Sequence, residues 1–127
     1  VCGAHMAGLP LNHQLTSRGA TFVESTESAP KYRLYALAGG PPMRPGMVKV
    51  NDEGRAIKLE IWRIPAAAFA SFVGLIPSPL GIGTVETASG ARVLGFICEQ
   101  AGLIGAADIT DFGGWRSFLA SQSPQNL

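Results

Sequence analysis

The sequence contains few charged residues, which make up only 15% of its 127 positions. Ten basic and nine acidic residues give a formal net charge of +1, and the basic ones are scattered rather than clustered. Because a nucleic-acid surface needs a stripe of basic side chains to neutralise phosphates, we predict no nucleic-acid partner. So low a charge density on a chain that is 46% hydrophobic suggests that a partner or another domain covers part of its surface.

Cysteine is also scarce, and Cys2 and Cys98 both lie in apolar, strand-like runs. Neither a Cys-x-x-Cys pair nor a Cys/His pair has metal-ligand spacing, so we predict no metal site and no cofactor. Two buried free thiols in a cytosolic protein are favoured over a disulfide or redox role. No apolar run approaches the ~20 residues that span a bilayer, and there is no signal-peptide pattern, so we expect no membrane partner and a cytoplasmic location.

Familiar catalytic motifs are missing as well. Serine hydrolase chemistry would need a Gly-x-Ser-x-Gly turn, and neither cysteine has a base partner nearby in the sequence. Gly81-Ile82-Gly83 is not a phosphate loop, because it precedes a strand rather than a helix. These absences leave the histidines, carboxylates and arginines as the candidates for chemistry.

Short strand-like segments dominate the chain, and the clearest is 56–64, where apolar residues alternate with polar ones. Pro65 opens a helix that runs to Val73, and Asp111 is expected to cap a last helix before a frayed polar tail from Ser121. About six strands follow one another through hairpins, without strand–helix–strand alternation. We therefore predict a single α+β domain, residues 1–127, built on a small, mostly antiparallel β-barrel with flanking short helices.

The N-terminal segment Val1–Leu15 holds the main candidate site. Glycine in Gly3-Ala4-His5-Met6 lets backbone N–H groups approach a bound anion closely, and an imidazole there could exchange protons at neutral pH. The alternatives are a histidine tied to the backbone in a tight turn, or a tag-cleavage scar, which Gly-Ala-His-Met resembles. His13 is predicted to face solvent.

Glu60 is a second candidate, in the middle of the clearest strand. On the inner face of a barrel mouth its carboxylate could act as an acid or base, with a pKa raised by burial. A solvent-facing residue paired with Lys58 or Arg63 is the slightly favoured alternative.

A third candidate group lies on a predicted strand over 32–37. Tyr32, Arg33 and Tyr35 could clamp a small carboxylate, with Arg33 supplying a bidentate guanidinium fork. Tyrosine is common in strands, so this signal is weak by itself.

Several blocks together resemble the C-terminal domain of allophanate hydrolases, in the same order and over nearly the whole chain. The matching blocks are Gly3-Ala4-His5-Met6-x-Gly8-x-Pro10-Leu11-Asn12-x-Gln14-Leu15, Ala29-Pro30-x-Tyr32-Arg33-Leu34-Tyr35-Ala36-Leu37, Pro77-x-Pro79-Leu80-Gly81-Ile82-Gly83-x-Val85-Glu86, Gly95-Phe96-x-Cys98-Glu99 and Asp108-Ile109-Thr110-x-Phe112-Gly113-Gly114-Trp115. Because Gly-Ala-His-Met occupies its family position, it is not a cloning scar. The chain opens without Met inside apolar sequence, as expected of a domain excised from a longer polypeptide.

The resemblance implies a fold similar to γ-glutamylcyclotransferases, small barrels in which a loop after the first strand binds substrate. Gly3–Met6 is similar to that loop. The catalytic glutamate of those relatives follows a helix after the fourth strand, whereas 75–79 here reads Leu-Ile-Pro-Ser-Pro. Cyclotransferase chemistry is therefore not carried over.

In allophanate hydrolases an N-terminal amidase domain with a Ser–Ser–Lys triad makes N-carboxycarbamate, and the C-terminal domain promotes its breakdown to carbon dioxide and ammonia. The family acts in urea or s-triazine degradation. The resemblance implies His5 as catalytic residue, with Gly3, Ala4, Met6, Arg33, Tyr35 and Glu60 as substrate-binding candidates for this small dicarboxylate. The amidase domain of the same polypeptide is the implied partner, and homodimer formation stays open. A non-catalytic module that dimerises or orients the amidase domain, or a binding domain for another dicarboxylate, are the alternatives.

Overall fold

The computed structural model describes residues 1–122, which form an α+β domain of short strands and helices. The strands are β1 (Thr21–Glu27), β2 (Tyr32–Ala36), β3 (Pro45–Lys49), β4 (Lys58–Arg63), β5 (Leu80–Glu86), β6 (Arg92–Cys98) and β7 (Ala107–Asp108). The helices are α1 (His13–Thr16), α2 (Ala66–Val73) and α3 (Trp115–Gln122). The tail predicted to fray begins at Ser121, but Ser121 still belongs to α3, and residues 123–127 lie outside the described part.

The strands form three antiparallel sheets rather than one closed barrel. Their orders are β1–β4, β3–β2–β7 and β5–β6. The β1–β4 and β5–β6 ribbons meet at a bridge between Ser28 and Thr87. The antiparallel α+β prediction is confirmed, whereas closure of the barrel was wrong for residues 1–122. Alternation of side chains indicates that a strand has one buried face, but it does not indicate which neighbour each edge finds.

The main core lies between the β2–β3 sheet and α3. Leu34 and Ile57 are fully buried, and Trp115 of α3 is 1% exposed beside them. Tyr32 points into the same core, where its hydroxyl accepts a hydrogen bond from the Glu86 N–H at 2.9 Å. This bond ties β2 to β5 while keeping the one polar atom of a buried ring satisfied. Both cysteines are buried free thiols, as predicted.

Helix α3 starts later than predicted, and Asp111 does not cap it. Asp111 lies in the short 3₁₀ turn Thr110–Phe112, and Gly113 with φ +78° separates that turn from α3. The side chain that fixes the turn belongs to Asp108, which accepts hydrogen bonds from the Thr110 N–H at 3.0 Å and hydroxyl at 2.6 Å. Within the described range there is no helix with the length and apolar character needed to cross a membrane.

Gly54 gives a test of this packing. A Cβ at Gly54 would lie 2.7 Å from the backbone of Lys31, which cannot move aside, whereas one at Gly81 in β5 meets nothing within 4 Å. We expect Gly54→Ala to lower the free energy of unfolding by about 1–3 kcal/mol, and Gly81→Ala by less than about 0.5 kcal/mol. Urea denaturation measures both, and equal values for the two variants would contradict the packing described.

Candidate functional site

The Gly3–Met6 segment forms a buried turn held at both ends. The Met6 N–H donates to the Gly3 carbonyl at 3.0 Å, and the Leu11 N–H donates to the Ala4 carbonyl at 2.8 Å. Only glycine fits at the first position, because a Cβ on Gly3 would lie 2.4 Å from Cδ of Pro45. The turn is therefore pressed against the start of β3, and its shape is fixed by packing as well as by hydrogen bonds.

The turn presents consecutive backbone donors. Within residues 1–122, the N–H groups of Gly3, Ala4 and His5 find no protein acceptor, whereas the Ala7 N–H donates to Oε1 of Glu60 at 2.8 Å. Successive N–H groups in a tight turn form a concave site for an anion. Three such donors are therefore available to a carboxylate at this turn.

His5 is 5% exposed and is held by a side chain rather than by the backbone. Its Nε2 lies 2.7 Å from Oε1 of Gln14, and because that oxygen can only accept, Nε2 carries the proton and Nδ1 is free to accept one. The rings of Phe72 and Phe96 pack against the imidazole at centroid distances of 5.4 and 4.8 Å. Asn12 completes the support by donating to the His5 carbonyl at 2.9 Å.

The pKa of His5 is lowered from 6.5 to about 4, chiefly by burial and to a smaller extent by the positive charge of Arg44, while the Gln14 hydrogen bond opposes the shift. His5 is therefore neutral at pH 7. A neutral imidazole with an unprotonated Nδ1 is ready to take up a proton if negative charge arrives beside it.

Two small cavities meet at Arg44. A crevice of about 10 Å³ is lined by the Gly3–His5 turn, Arg44, Leu80 and Phe96. A larger cavity of about 260 Å³, which shares Arg44 and Leu80, lies between the Gly39–Gly46 segment and the loop before β5. Arg44 is half-buried, and no carboxylate of the described residues lies within ion-pair distance of its guanidinium.

Arg33 and Tyr35 lie elsewhere. Arg33 forms an ion pair with Asp108, whose Oδ2 accepts from Nε at 3.0 Å and from Nη2 at 2.9 Å, and it also donates to the Glu53 carbonyl. Tyr35 packs against a second apolar cluster around Leu37, Leu80 and Cys98. Neither side chain lines the two cavities at Arg44.

The arginine near the turn is therefore Arg44, which sequence reasoning missed. The available signal was a lone arginine inside an irregular Gly/Pro-rich segment, where it must be held by tertiary contacts rather than by strand pairing. Gln14 was missed for a similar reason, because a glutamine beside the exposed His13 in a short helix looks like a surface residue.

Glu60 differs from the favoured prediction. It is 6% exposed, and its partner is Arg116 of α3 at 2.9 Å rather than Lys58 or Arg63. Burial raises the pKa of its carboxyl, but hydrogen bonds from the Ala7 N–H, Arg116 and the Trp62 indole outweigh burial and hold the pKa below its usual value. Because these three donors occupy both oxygens, Glu60 positions the turn and offers little to a ligand.

His13 is exposed, as predicted, and its Nδ1 lies 3.0 Å from the Pro10 carbonyl. Over residues 1–122 no three His, Cys, Asp or Glu side chains converge to form a metal-binding group.

The low pKa of His5 predicts a pH dependence of stability. Since the pKa is about 4 in the folded state and 6.5 in the unfolded chain, the unfolded chain binds the proton first as pH falls. Above pH 6.5 this group does not reduce the free energy of unfolding. As the pH drops to 4.5, the free energy of unfolding falls by about 2–3 kcal/mol. Urea denaturation should show this loss reduced in His5→Gln but retained in His13→Gln. A full loss in His5→Gln would contradict the assignment.

Comparisons with known proteins agree with the fold. The family model for the allophanate hydrolase C-terminal domain matches residues 1–120. Urea amidolyase of Saccharomyces cerevisiae is 43% identical over 123 residues, which cover 94% of this chain and 7% of that protein. The chain thus spans only a small part of the curated relatives it matches.

Solved structures show the same similarity. Allophanate hydrolase of Kluyveromyces lactis superposes with a TM-score of 0.93 at 42% identity, over 96% of this chain and 21% of the other. A uropathogenic E. coli-specific protein, c4763, superposes with a TM-score of 0.88 at 34% identity, over 94% of this chain and 91% of the other. The same fold is therefore a small part of one relative and almost the whole of another. With a family model matching residues 1–120 and relatives above 40% identity, the chain belongs to the family of allophanate hydrolase C-terminal domains.

Proposed function

We propose that this domain promotes the decarboxylation of N-carboxycarbamate, the product of the amidase domain in allophanate hydrolases, with His5 as the catalytic residue. The observation that carries the proposal is the placement of a buried, neutral His5 at the end of three consecutive backbone donors. The route would serve urea degradation, with the amidase domain of the same polypeptide supplying the substrate.

The reaction needs one proton at one atom. N-carboxycarbamate carries two carboxylates on a single nitrogen, and loss of one carbon dioxide breaks a C–N bond and leaves the electron pair on nitrogen. That nitrogen takes a proton, giving carbamate, which releases the second carbon dioxide and ammonia in the same way. A positioned proton donor contributes typically ~10²–10⁴-fold to such a step.

His5 becomes that donor only when the substrate is present. In the unliganded domain burial keeps the imidazole neutral, with a pKa of about 4. A dianion beside Nδ1 favours the charged imidazolium and raises the pKa toward neutrality, so the proton is taken up together with the substrate. Nδ1 then donates to the nitrogen, while the bond from Nε2 to Gln14 keeps the ring in place.

The backbone N–H groups of the turn bind one carboxylate of the substrate, and Arg44 binds the other. One carboxylate takes the N–H groups of Gly3, Ala4 and His5, where donors fixed in advance stabilise charge without reorganisation. Met6 contributes packing instead, since its own N–H is used by Gly3 and its side chain is 3% exposed in the core.

We assign binding of the second carboxylate to Arg44, because Arg33 is already paired with Asp108. The crevice beside His5 measures about 10 Å³, which is too small for the substrate. Substrate binding therefore requires the Arg44 side chain to shift toward the adjoining cavity of about 260 Å³, where its guanidinium binds the second carboxylate.

The direct test is carbon dioxide release. The amidase domain is given allophanate, and release is followed with the wild-type domain, with His5→Ala and with His13→Ala as the matched exposed control. We expect release with His5→Ala to fall to the rate without the domain, and His13→Ala to match wild type. Unchanged release in His5→Ala would reject catalysis and favour the alternative, a module that dimerises or orients the amidase domain.

Malonate, a stable dicarboxylate, tests the binding assignments separately. NMR titration should show the pKa of His5 raised when malonate is bound. Arg44→Ala should weaken malonate binding about 10-fold or more, and Arg33→Ala should leave it nearly unchanged. Weaker binding in Arg33→Ala alone would reverse the assignment of the second carboxylate.

A further inference from the structure

The imidazole of His5 makes a single side-chain hydrogen bond. Phe72 of α2 and Phe96 of β6 pack against the ring, and aromatic rings can pack against either tautomer of a neutral imidazole. They therefore do not decide which ring nitrogen carries the proton. Among residues 1–122, the protein atom within hydrogen-bond distance of a ring nitrogen is Oε1 of Gln14, which lies 2.7 Å from Nε2. The tautomer of His5 is thus decided by its contact with Gln14.

Gln14 is fixed in position by its own backbone and by α2. Its N–H donates to the Leu11 carbonyl at 3.0 Å, and its carbonyl accepts from Nη1 of Arg18 at 3.0 Å. Nε of the same arginine donates to Oγ of Ser71 at 2.8 Å. Ser71 directly precedes Phe72 in α2. One helix therefore holds both the ring that packs on the imidazole and, through Arg18, the residue that binds its Nε2.

The hydrogen-bond acceptor at Nε2 is uncharged, which separates its effect from that of a carboxylate. An amide oxygen accepts the Nε2 proton without adding charge, whereas a carboxylate at the same place would favour the imidazolium. Burial, Arg44 and His13 all lower the pKa of the ring, and the hydrogen bond to Gln14 offsets only part of the shift, so that the pKa stays at about 4. A glutamine therefore selects one tautomer and still leaves His5 neutral at pH 7.

We propose that Gln14 is a positioning residue of the decarboxylation site, which holds His5 as the neutral Nε2–H tautomer so that the imidazole exchanges protons with the substrate through Nδ1 alone. The role in the reaction rests on the proposed function, whereas the choice of tautomer is a property of the unliganded domain. In the reaction, Nδ1 takes up a proton from solvent as the dianion binds and passes it to the nitrogen of the breaking C–N bond. In the opposite tautomer Nδ1 already carries a proton, so uptake would have to occur at Nε2, where Gln14 lies.

Nitrogen-15 NMR of the histidine rings at pH 7 tests the choice of tautomer without substrate. Gln14→Met removes the acceptor oxygen from a side chain of similar length, Gln14→Glu keeps an acceptor, and Thr16→Met is the matched control at an exposed position of the same helix. We expect the neutral ring of His5 to carry its proton on Nε2 in wild type, Gln14→Glu and Thr16→Met, and to be a mixture of tautomers in Gln14→Met. In Gln14→Glu the pKa of His5 should rise above about 4, because a carboxylate favours the imidazolium.

Carbon dioxide release, measured with the amidase domain and allophanate, tests the role in the reaction. The part of the release that depends on this domain should fall at least about tenfold in Gln14→Met, because a ring free to turn or to change tautomer no longer aims Nδ1 at the nitrogen. Malonate affinity should change by less than about threefold, since the turn and Arg44 bind the carboxylates. Gln14→Glu should restore most of the release, and Thr16→Met should match wild type.

Two kinds of result overturn the proposal. A proton on Nδ1 in wild type, or an unchanged tautomer in Gln14→Met, would show that Gln14 does not select the tautomer. Wild-type release in Gln14→Met, in an assay where His5→Ala loses it, would show that the ring needs no positioning. If His5→Ala itself leaves release unchanged, the proposed function fails, and the NMR comparison alone decides whether Gln14 selects the tautomer.

Discussion

The buried carboxylate of Glu60 is the contact on which the rest of the site depends. Its backbone pairs with Val1 at the start of the chain, and its side chain accepts from the Ala7 N–H just after the turn. Arg116 extends the connection to α3, because one Nη2 donates to Glu60 and also to the Ala7 carbonyl at 2.7 Å. A single residue of β4 thus fixes both ends of the segment that carries His5. Because a buried charge that loses a partner is costly, this arrangement resists local distortion.

Holding the turn at both ends leaves its middle free for chemistry. The carbonyls of Gly3, Ala4 and His5 are all used, by the Met6 N–H, the Leu11 N–H and the Asn12 amide. The N–H groups of the same three residues have no hydrogen-bond acceptor within the described residues. The turn therefore has more free donors than free acceptors, and Arg44 lies beside it. A surplus of donors at a buried position has no structural benefit by itself, since unpaired polar groups cost free energy. A bound anion is the simplest way to recover that cost, and it links the shape of the turn to the proposed substrate.

Local sequence patterns indicated the elements of this fold better than their partners. Alternation in β2 and β4 and the turn-rich spacing were enough to predict an antiparallel α+β domain, and glycine with histidine was enough to identify the turn. The prediction of a closed barrel was wrong because closure depends on which strand edges pair, and the sequence of one strand does not determine its partner. Glu60 was expected to pair with Lys58 or Arg63, which are close in sequence, whereas its partner, Arg116, lies 56 residues away in α3. The sequence did not indicate Arg44 and Gln14, because their positions beside His5 result from tertiary packing and not from a local pattern.

The turn is connected to β4 through Val1, which exchanges two hydrogen bonds with Glu60. Val1 is followed directly by Cys2, which is 4% exposed in the main core, and then by the glycine pressed against Pro45. These contacts fix the direction from which the chain enters the turn, and with it the positions of the three N–H groups. Fixing donors in advance matters most where they must stabilise a small dianion, because the stabilisation comes from dipoles that need not reorganise. Pairing of Val1 with β4 and the proposed catalysis at His5 would then be parts of one requirement, a chain path held from β4 to the imidazole.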